Sequence, residues 1–330
     1  MKIGILGSGS WGTALGQVLC DNGHDVLVYG NVRAQIDDIN LRHKNTQFFA
    51  DAPVTPLLHA TDCLTDLASY GDLFVIAVPT QAVPSVMQSV LPYIRPDTVI
   101  VNASKGFERE TNRRISDAVR AALGDTPYGG FASIIGPSHA EEVILRKLTS
   151  VCAVSLEQTV AKKVQMLFSN AYLRVYVSTD EIGAEYGVAI KNVIAIASGI
   201  LEGQGYGDNA KAALITRGLC EMVRYGVYKG GQRETFFGLT GVGDLIVTCF
   251  SPHSRNYQAG LSVGRANSSA VLKENTHTVE GINSCKSVHE DAASNGIEMP
   301  IVDSVYRILF EDAEPSQMIR EIMSRPLKAE

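Results

Sequence analysis

A short β-rich run, a glycine-rich turn and a helical pattern follow one another without a spacer at the start of the sequence, and no other stretch narrows the possible folds as much. Lys2–Leu6 reads as a strand, Gly7-Ser8-Gly9-Ser10-Trp11-Gly12 follows at once, and Trp11–Asp21 has the apolar spacing of a helix. In that context G-x-G-x-x-G is a dinucleotide-binding fingerprint. Gly7 permits the tight turn, Gly9 lets a pyrophosphate approach the backbone, and Gly12 allows the helix to touch the strand. The helix N-terminus then offers amide donors and a partial positive charge to phosphates. A glycine turn without a ligand is the bland alternative, and the flanking strand and helix weigh against it. A signal peptide would also begin with Lys2 and an uncharged run from Ile3 to Cys20, but the glycines and serines of Gly7–Gly12 argue against one.

The first half of the chain repeats this alternation. Asp25–Tyr29, Leu73–Val78, Val99–Asn102, Ala132–Ile135, Ser150–Val154 and Leu173–Val177 are further strand candidates, with helical patterns such as Gln81–Leu91 and Arg113–Leu123 between them. Unbroken apolar runs suit parallel strands covered on both faces. The expected fold class is α/β, an N-terminal Rossmann-like doubly wound, mostly parallel sheet. After about Asp180 the strands stop. Glu181–Leu201, Asn209–Lys229, Ser254–Val263, Asn283–Asn295 and Ile301–Phe310 read as helices. The expected organisation is an NAD(P)-binding domain over 1–180 and an all-helical substrate-binding, catalytic domain over 181–330.

Composition excludes several classes. A chain of 330 residues that is 45% hydrophobic and 19% charged is an ordinary globular protein. Its net charge of −6 argues against a general nucleic-acid or anionic-membrane surface. Cys20, Cys63, Cys152, Cys220, Cys249 and Cys285 are scattered, with no metal-ligand spacing, and read as free thiols of a reducing compartment. The longest uncharged run, Leu73–Ile94, is broken by Pro79 and Pro84, so no integral membrane segment is expected. The expected location is cytoplasmic.

The second strand of such a domain should end in an acid that binds the adenosine ribose hydroxyls. Here it ends Tyr29-Gly30-Asn31-Val32-Arg33, without a carboxylate. A ribose 2′-phosphate then meets no repulsion and Arg33 can pair with it, so NADPH is the expected cofactor, with NADH also accepted. The alternative for Arg33 is a solvated helix residue.

Three charged residues stand in otherwise uncharged surroundings. Lys191 is the only charge between Glu185 and Glu202, on a largely apolar helix. It either snorkels or is partly buried with a lowered pKa, and the second state suits a general acid that protonates a carbonyl oxygen. Asp244 is the only formal charge between Glu234 and Arg255, and Lys105 follows the strand Val99–Asn102 at the ligand-binding edge of the sheet. A purely structural ion pair of Asp244 with either lysine is the competing account. Ser254-Arg255-Asn256 looks like a helix start with Ser254 as N-cap, and its amides with an arginine form a phosphate site. Two patterns are decoys. Gly136-Pro137-Ser138-His139-Ala140 resembles a nucleophile elbow but lacks its final glycine. His289-Glu290 has no second histidine at ligand spacing, so no metal is expected and all seven histidines read as packing residues.

Taken together, Gly7–Gly12, Asn102–Phe107, Gly136–Glu141, Val188–Val193, Leu239–Leu245, Ser254–Asn256 and Val279–Gly281 resemble the bacterial NAD(P)-dependent glycerol-3-phosphate dehydrogenases, in order along almost the whole chain. The resemblance implies reversible hydride transfer between NAD(P)H and dihydroxyacetone phosphate, giving sn-glycerol 3-phosphate for glycerophospholipid synthesis. It implies that Lys191 is the proton donor and acceptor, with Lys105 and Asp244 orienting the substrate and tuning that lysine. Gly136 and Ser138 fall where the family binds substrate, and Arg255 and Asn256 match its phosphate ligands. Ala140, Ser10, Trp11, Thr278 and Glu280 match cofactor contacts, and Arg255 also lies near the cofactor. Family members often carry histidine or arginine where Asn31 stands; the departure leaves 2′-phosphate recognition open, with Arg33 as the candidate to compensate. A homodimer is also implied. The competing readings are a related two-domain hydroxy-acid dehydrogenase, which needs a further anion-binding group, and a non-catalytic NAD(P)-binding regulator, which needs no lone lysine in an apolar helix.

Overall fold

The computed structural model describes residues 1–50, 52–108, 111–274 and 278–327; His277, one of the seven histidines, lies outside them. The chain divides into two compact units, Met1–Glu181 and Ile182–Glu330.

The first unit is built on eight strands: β1 (Lys2–Leu6), β2 (Asp25–Tyr29), β3 (Leu58–Thr61), β4 (Leu73–Ile76), β5 (Val99–Asn102), β6 (Gly130–Ile135), β7 (Thr149–Val154) and β8 (Leu173–Ser178). Their order is β3-β2-β1-β4-β5-β6-β7-β8. All neighbours run parallel except β6 and β7. The order reverses direction at the β1/β4 boundary, and in doubly wound sheets the crevice beyond that boundary takes the ligand. The unbroken apolar strands feed two cores at once. Leu73 and Val75 of β4 join Ile3, Ile5 and Val101 on one face, while Phe74 and Ile76 join Leu67, Met87 and Ile100 on the other.

The sequence reading missed β3. Its four residues alternate buried and outward positions, too short a run to stand out. The expected helix Gln81–Leu91 is a tight turn, Thr80–Ala82, leading into Val83–Val90, because Pro84 belongs in a first helical turn.

In the second unit no strand is present among the described residues. Its longest helix, Glu181–Gly203, is long and apolar enough to cross a membrane, but 94% of its apolar window is buried within the protein, as in a core helix. Gly199 and Gly203 of this helix meet Gly260 and Gly264 of helix Arg255–Ala266 backbone to backbone. A Cβ on Gly199 would lie 2.1 Å from the Tyr257 carbonyl oxygen, and one on Gly260 would lie 2.0 Å from that of Ile196. Side chains are absent from the crossing because none fits. Two short helices, Asp244–Phe250 and Pro315–Met323, had not been singled out in the sequence.

Candidate functional site

The glycine turn of the first unit sits at the strand-order reversal. Gly7 N–H donates to the Tyr29 carbonyl of β2 (3.0 Å), and Ala77 N–H, just past β4, donates to Leu6 of β1 (2.8 Å). Gly7 has φ +123°, and a Cβ there would lie 2.5 Å from the Ala77 carbonyl oxygen. A Cβ on Gly12 would lie 1.9 Å from the Gly7 oxygen, so helix Ser10–Asp21 starts in contact with the strand. Above Gly9 a Cβ would meet nothing within 4 Å. That helix has no side-chain cap and no acid in its first turn, which leaves its first amides for a ligand. The indole Nε1 of Trp11 is buried without a hydrogen-bond partner. An uncapped N-terminus, open space over Gly9 and an orphaned donor fit a bound dinucleotide pyrophosphate.

The turn is braced by residues the sequence reading did not name. Ser8 Oγ donates to Gln35 Oε1 (2.7 Å), and Asn45 Nδ2 donates to the Ser8 carbonyl and to Thr13 Oγ1 (both 2.9 Å). Gln35 and Asn45 flank the wide helical turn Asp38–Arg42, and nothing in their spacing signals the contact.

At the end of β2, Asn31 is exposed and Arg33 is not free. Its Nη1 lies 2.9 Å from Asp62 Oδ2 and its Nε 3.1 Å from Asp37 Oδ1. Asp62 follows β3, whose Thr61 carbonyl accepts the Gly30 N–H at 3.0 Å. An acid, absent from the end of β2, thus stands just past the end of the neighbouring strand. The Arg33 guanidinium holds the Asp62 carboxyl below the usual range, so it is charged at neutral pH.

Lys105 lies in the loop after β5. Asn102 Oδ1 accepts the Ser104 N–H (2.9 Å), and Ser104 Oγ donates to the Val78 carbonyl (2.6 Å), which ties this loop to the one after β4. Lys105 Nζ stands 5.7 Å from the centre of the Trp11 ring, a cation–π contact that joins two sequence-predicted residues at one sheet edge. Past β6, Ser138 Oγ donates to the Gly136 carbonyl (3.0 Å), and Ala140 opens a single helical turn, Ala140–Val143. A hydroxyl spent on a main-chain carbonyl before so short a helix does not make a nucleophile elbow.

In the second unit Lys191 and Asp244 form a buried ion pair. Nζ lies 2.5 Å from Asp244 Oδ1, and the side chains are 3% and 1% exposed. Lys191 Nζ also donates to Thr248 Oγ1 (2.9 Å), whose own proton goes to the Asp244 carbonyl (2.6 Å). Asp244 Oδ2 is buried and has no partner. Two features set Asp244 down beside the lysine. Leu239–Gly243 forms a wide helical turn, with Gly243 N–H bonding to the Gly238 carbonyl (3.1 Å), and such turns recur at functional sites. Gly187, one turn before Lys191, lets the Thr240 carbonyl approach; a Cβ there would lie 2.8 Å from it. Thr248, one turn after Asp244 on the same helix, was missed in the sequence; the i, i+4 spacing was its only signal.

Beside this pair, Asn256 Nδ2 donates to Asn192 Oδ1 (3.0 Å) and Asn256 Oδ1 accepts the Gly281 N–H (2.9 Å). One amide thus joins three helices. Ser254 caps its helix as expected, with Oγ accepting the Tyr257 N–H at 3.2 Å. Arg255 is exposed at the first helical position, Thr278 is half-buried, and Glu280 opens helix Glu280–Ser294. His289 bonds to Asp303 (2.8 Å) and stacks on Tyr306, a packing role. All six cysteines are free of disulfides.

The chain is similar to known proteins along its whole length. The model of the NAD-dependent glycerol-3-phosphate dehydrogenase N-terminus matches residues 2–161, and that of the C-terminus matches residues 180–320. A glycerol-3-phosphate dehydrogenase [NAD(P)+] from Staphylococcus epidermidis is 44% identical over 330 residues, covering 100% of this chain and 99% of the relative. One of the same name from Enterococcus faecalis is 43% identical, covering 100% and 97%. Among solved structures, a glycerol-3-phosphate dehydrogenase from Coxiella burnetii superposes with a TM-score of 0.91 at 35% identity, over 98% of this chain and 99% of that one. A D-mandelate dehydrogenase shares only the fold, with a TM-score of 0.64 at 16% identity over 97% and 100% of the two chains. With both family models matched and relatives this similar along its full length, the chain belongs to the NAD-dependent glycerol-3-phosphate dehydrogenase family.

Proposed function

We propose that the protein reduces dihydroxyacetone phosphate reversibly to sn-glycerol 3-phosphate with NAD(P)H, and that Lys191 exchanges the proton. The observation that carries this reading is the buried Lys191–Asp244 pair with Thr248 on the same ammonium. An ammonium held by a carboxylate and a hydroxyl in a water-poor site is oriented for proton transfer. A dinucleotide held at Gly7–Gly12 would supply the hydride for C2 of the ketone. As the carbonyl π pair moves onto oxygen, Lys191 Nζ gives that oxygen a proton and is left neutral, to be reprotonated from solvent. Asp244 Oδ1 holds Nζ in place, while Oδ2, buried and without a partner, is available to accept a substrate hydroxyl. Lys105 adds a second positive charge for the substrate.

Gly7, Gly9, Ser10, Trp11 and Gly12 are assigned to the pyrophosphate. Asn31 and Arg33 are assigned to the adenosine end, and Ala140, Thr278 and Glu280 to further dinucleotide contacts. Gly136 and Ser138 are assigned to substrate. Ser254 presents the helix start on which Arg255 and Asn256 grip the substrate phosphate. Because both Asn256 heavy atoms are engaged, its contribution is the remaining amide hydrogen. A homodimer, a cytoplasmic setting and a role in glycerophospholipid supply rest on the family likeness, and the free thiols fit a reducing compartment.

The test follows NADPH absorbance with the purified protein and dihydroxyacetone phosphate. Oxidation is expected, with Lys191→Met lowering kcat about 10²–10⁴-fold while NADPH still binds. No oxidation above background removes the reading, and turnover surviving in Lys191→Met removes the role of the lysine.

A further inference from the structure

Lacking an acid at the end of β2, the chain places a carboxylate at the end of the neighbouring strand instead, and that carboxylate holds the arginine a 2′-phosphate would need. The two strand ends are tied by the Gly30–Thr61 hydrogen bond, and Tyr29 and Thr61 are register partners. Asp62 is the next residue and pairs with Arg33 at 2.9 Å; the two side chains are 45% and 70% exposed. We propose that Asp62 sets the choice between the two dinucleotides, by holding Arg33 from the ribose 2′-phosphate and by offering a carboxylate to the free 2′-hydroxyl.

This rests on the reading of Gly7–Gly12 as the dinucleotide turn, whose adenosine ribose falls at the end of β2 in such domains. A 2′-hydroxyl is a neutral donor and finds an acceptor in Asp62, the part an acid on β2 would otherwise play. A 2′-phosphate brings nearly two negative charges. It must draw Arg33 from Asp62 and then stand near the carboxylate left behind. Exposed pairs of this kind are weak, so the exchange is possible and both nucleotides bind, but the phosphorylated one binds less tightly than a free arginine would allow. Asp37 also holds Arg33, but from one helical turn further along Arg33–Asp37, so it does not supply the acceptor at the strand end.

The experiment measures, by calorimetry, the affinities of the intact protein for ADP-ribose and for 2′-phospho-ADP-ribose, which involve no ketone substrate. Asp62→Asn is expected to raise the preference for the phosphorylated probe about tenfold, from a gained phosphate contact and a lost hydroxyl acceptor. Most of that gain should vanish in Arg33→Ala/Asp62→Asn. A change under about twofold in Asp62→Asn overturns the proposal, as does a gain that persists in full without Arg33. An equal gain in Asp37→Asn overturns the assignment to Asp62. Binding of neither probe by the unaltered protein overturns the dinucleotide site, and the proposal with it. Tight probe binding without ketone reduction would instead sink only the substrate assignment and leave the proposal standing.

Discussion

Replacing Asp244 by leucine separates what the buried pair does for folding from what it does for chemistry. Lys191 and Asp244 are nearly inaccessible to water, with charged atoms 2.5 Å apart. Removing one partner leaves the other charge desolvated and uncompensated, at a cost of about 3–5 kcal/mol. For a domain of this size each kcal/mol shifts the midpoint by about 2–4 °C, so Asp244→Leu should lower the Tm of the unit that holds it by roughly 6–20 °C. Lys191→Met/Asp244→Leu removes both charges while keeping similar volumes. Apolar replacement of a whole buried pair is close to neutral, so most of the lost Tm should return. Activity should not return, because the proposed proton donor is gone. Scanning calorimetry of the full chain gives the midpoints, and dinucleotide oxidation gives the rates. A double variant as unstable as Asp244→Leu refutes the electrostatic account, and so does a single variant that moves the midpoint by less than about 2 °C. Turnover in the double variant refutes the chemical one.

Two further outcomes follow from buried polar groups elsewhere. Burial pushes the Glu221 carboxyl up to about 7, although it accepts the Ile301 and Val302 N–H groups at the start of helix Pro300–Phe310. The native state therefore favours the protonated form: the stabilisation is complete below about pH 4.5 and is lost as the pH rises through about 7, on the order of 3 kcal/mol in all. Urea midpoints should fall across that window and flatten in Glu221→Gln; an unchanged slope in the variant refutes the assignment. Asn45→Ala strips the brace from the Ser8 carbonyl, and a loss of about 1–2 kcal/mol should appear as roughly a tenfold rise in KM for the dinucleotide with kcat nearly constant. Steady-state kinetics check this, and an unaltered KM means that the turn holds its shape without the amide.

What could be read from the sequence was what is local or periodic. Seven of the eight strands announced themselves as short apolar-rich runs: one covered on both faces, such as β4, has no polar position to interrupt it, while β8 carries enough Val, Leu and Tyr to stand out although Arg174 and Tyr176 face outward. β3 escaped because an edge strand with one buried face and four residues leaves almost no pattern. Lys191 and Asp244 stood out because an isolated charge in an apolar stretch needs a partner, yet the sequence could not say which lysine Asp244 would take. Gln35, Asn45 and Asp62 were invisible for a common reason, and Thr248 nearly so. Each works through a hydrogen bond or ion pair set by tertiary placement, and polar residues of ordinary type carry no mark of it. Arg33 shows the opposite error: an apparently unopposed cation is opposed by an acid on the next strand, 29 positions away.

The glycine crossing between helices Glu181–Gly203 and Arg255–Ala266 makes the second unit a ruler. Lys191 and Asn192 hang from one helix, and Arg255 and Asn256 from the other. Where main chain rests on main chain, no side chain remains at the crossing that could be exchanged to slide one helix along the other. The span from the proposed proton donor to the proposed anion grip is then a property of the backbone. A substrate one carbon longer or shorter cannot be accommodated by a single core substitution at that crossing. Altered chain-length selectivity should therefore arise from changes at Arg255 and its neighbours, at the end of the ruler and not along its shaft.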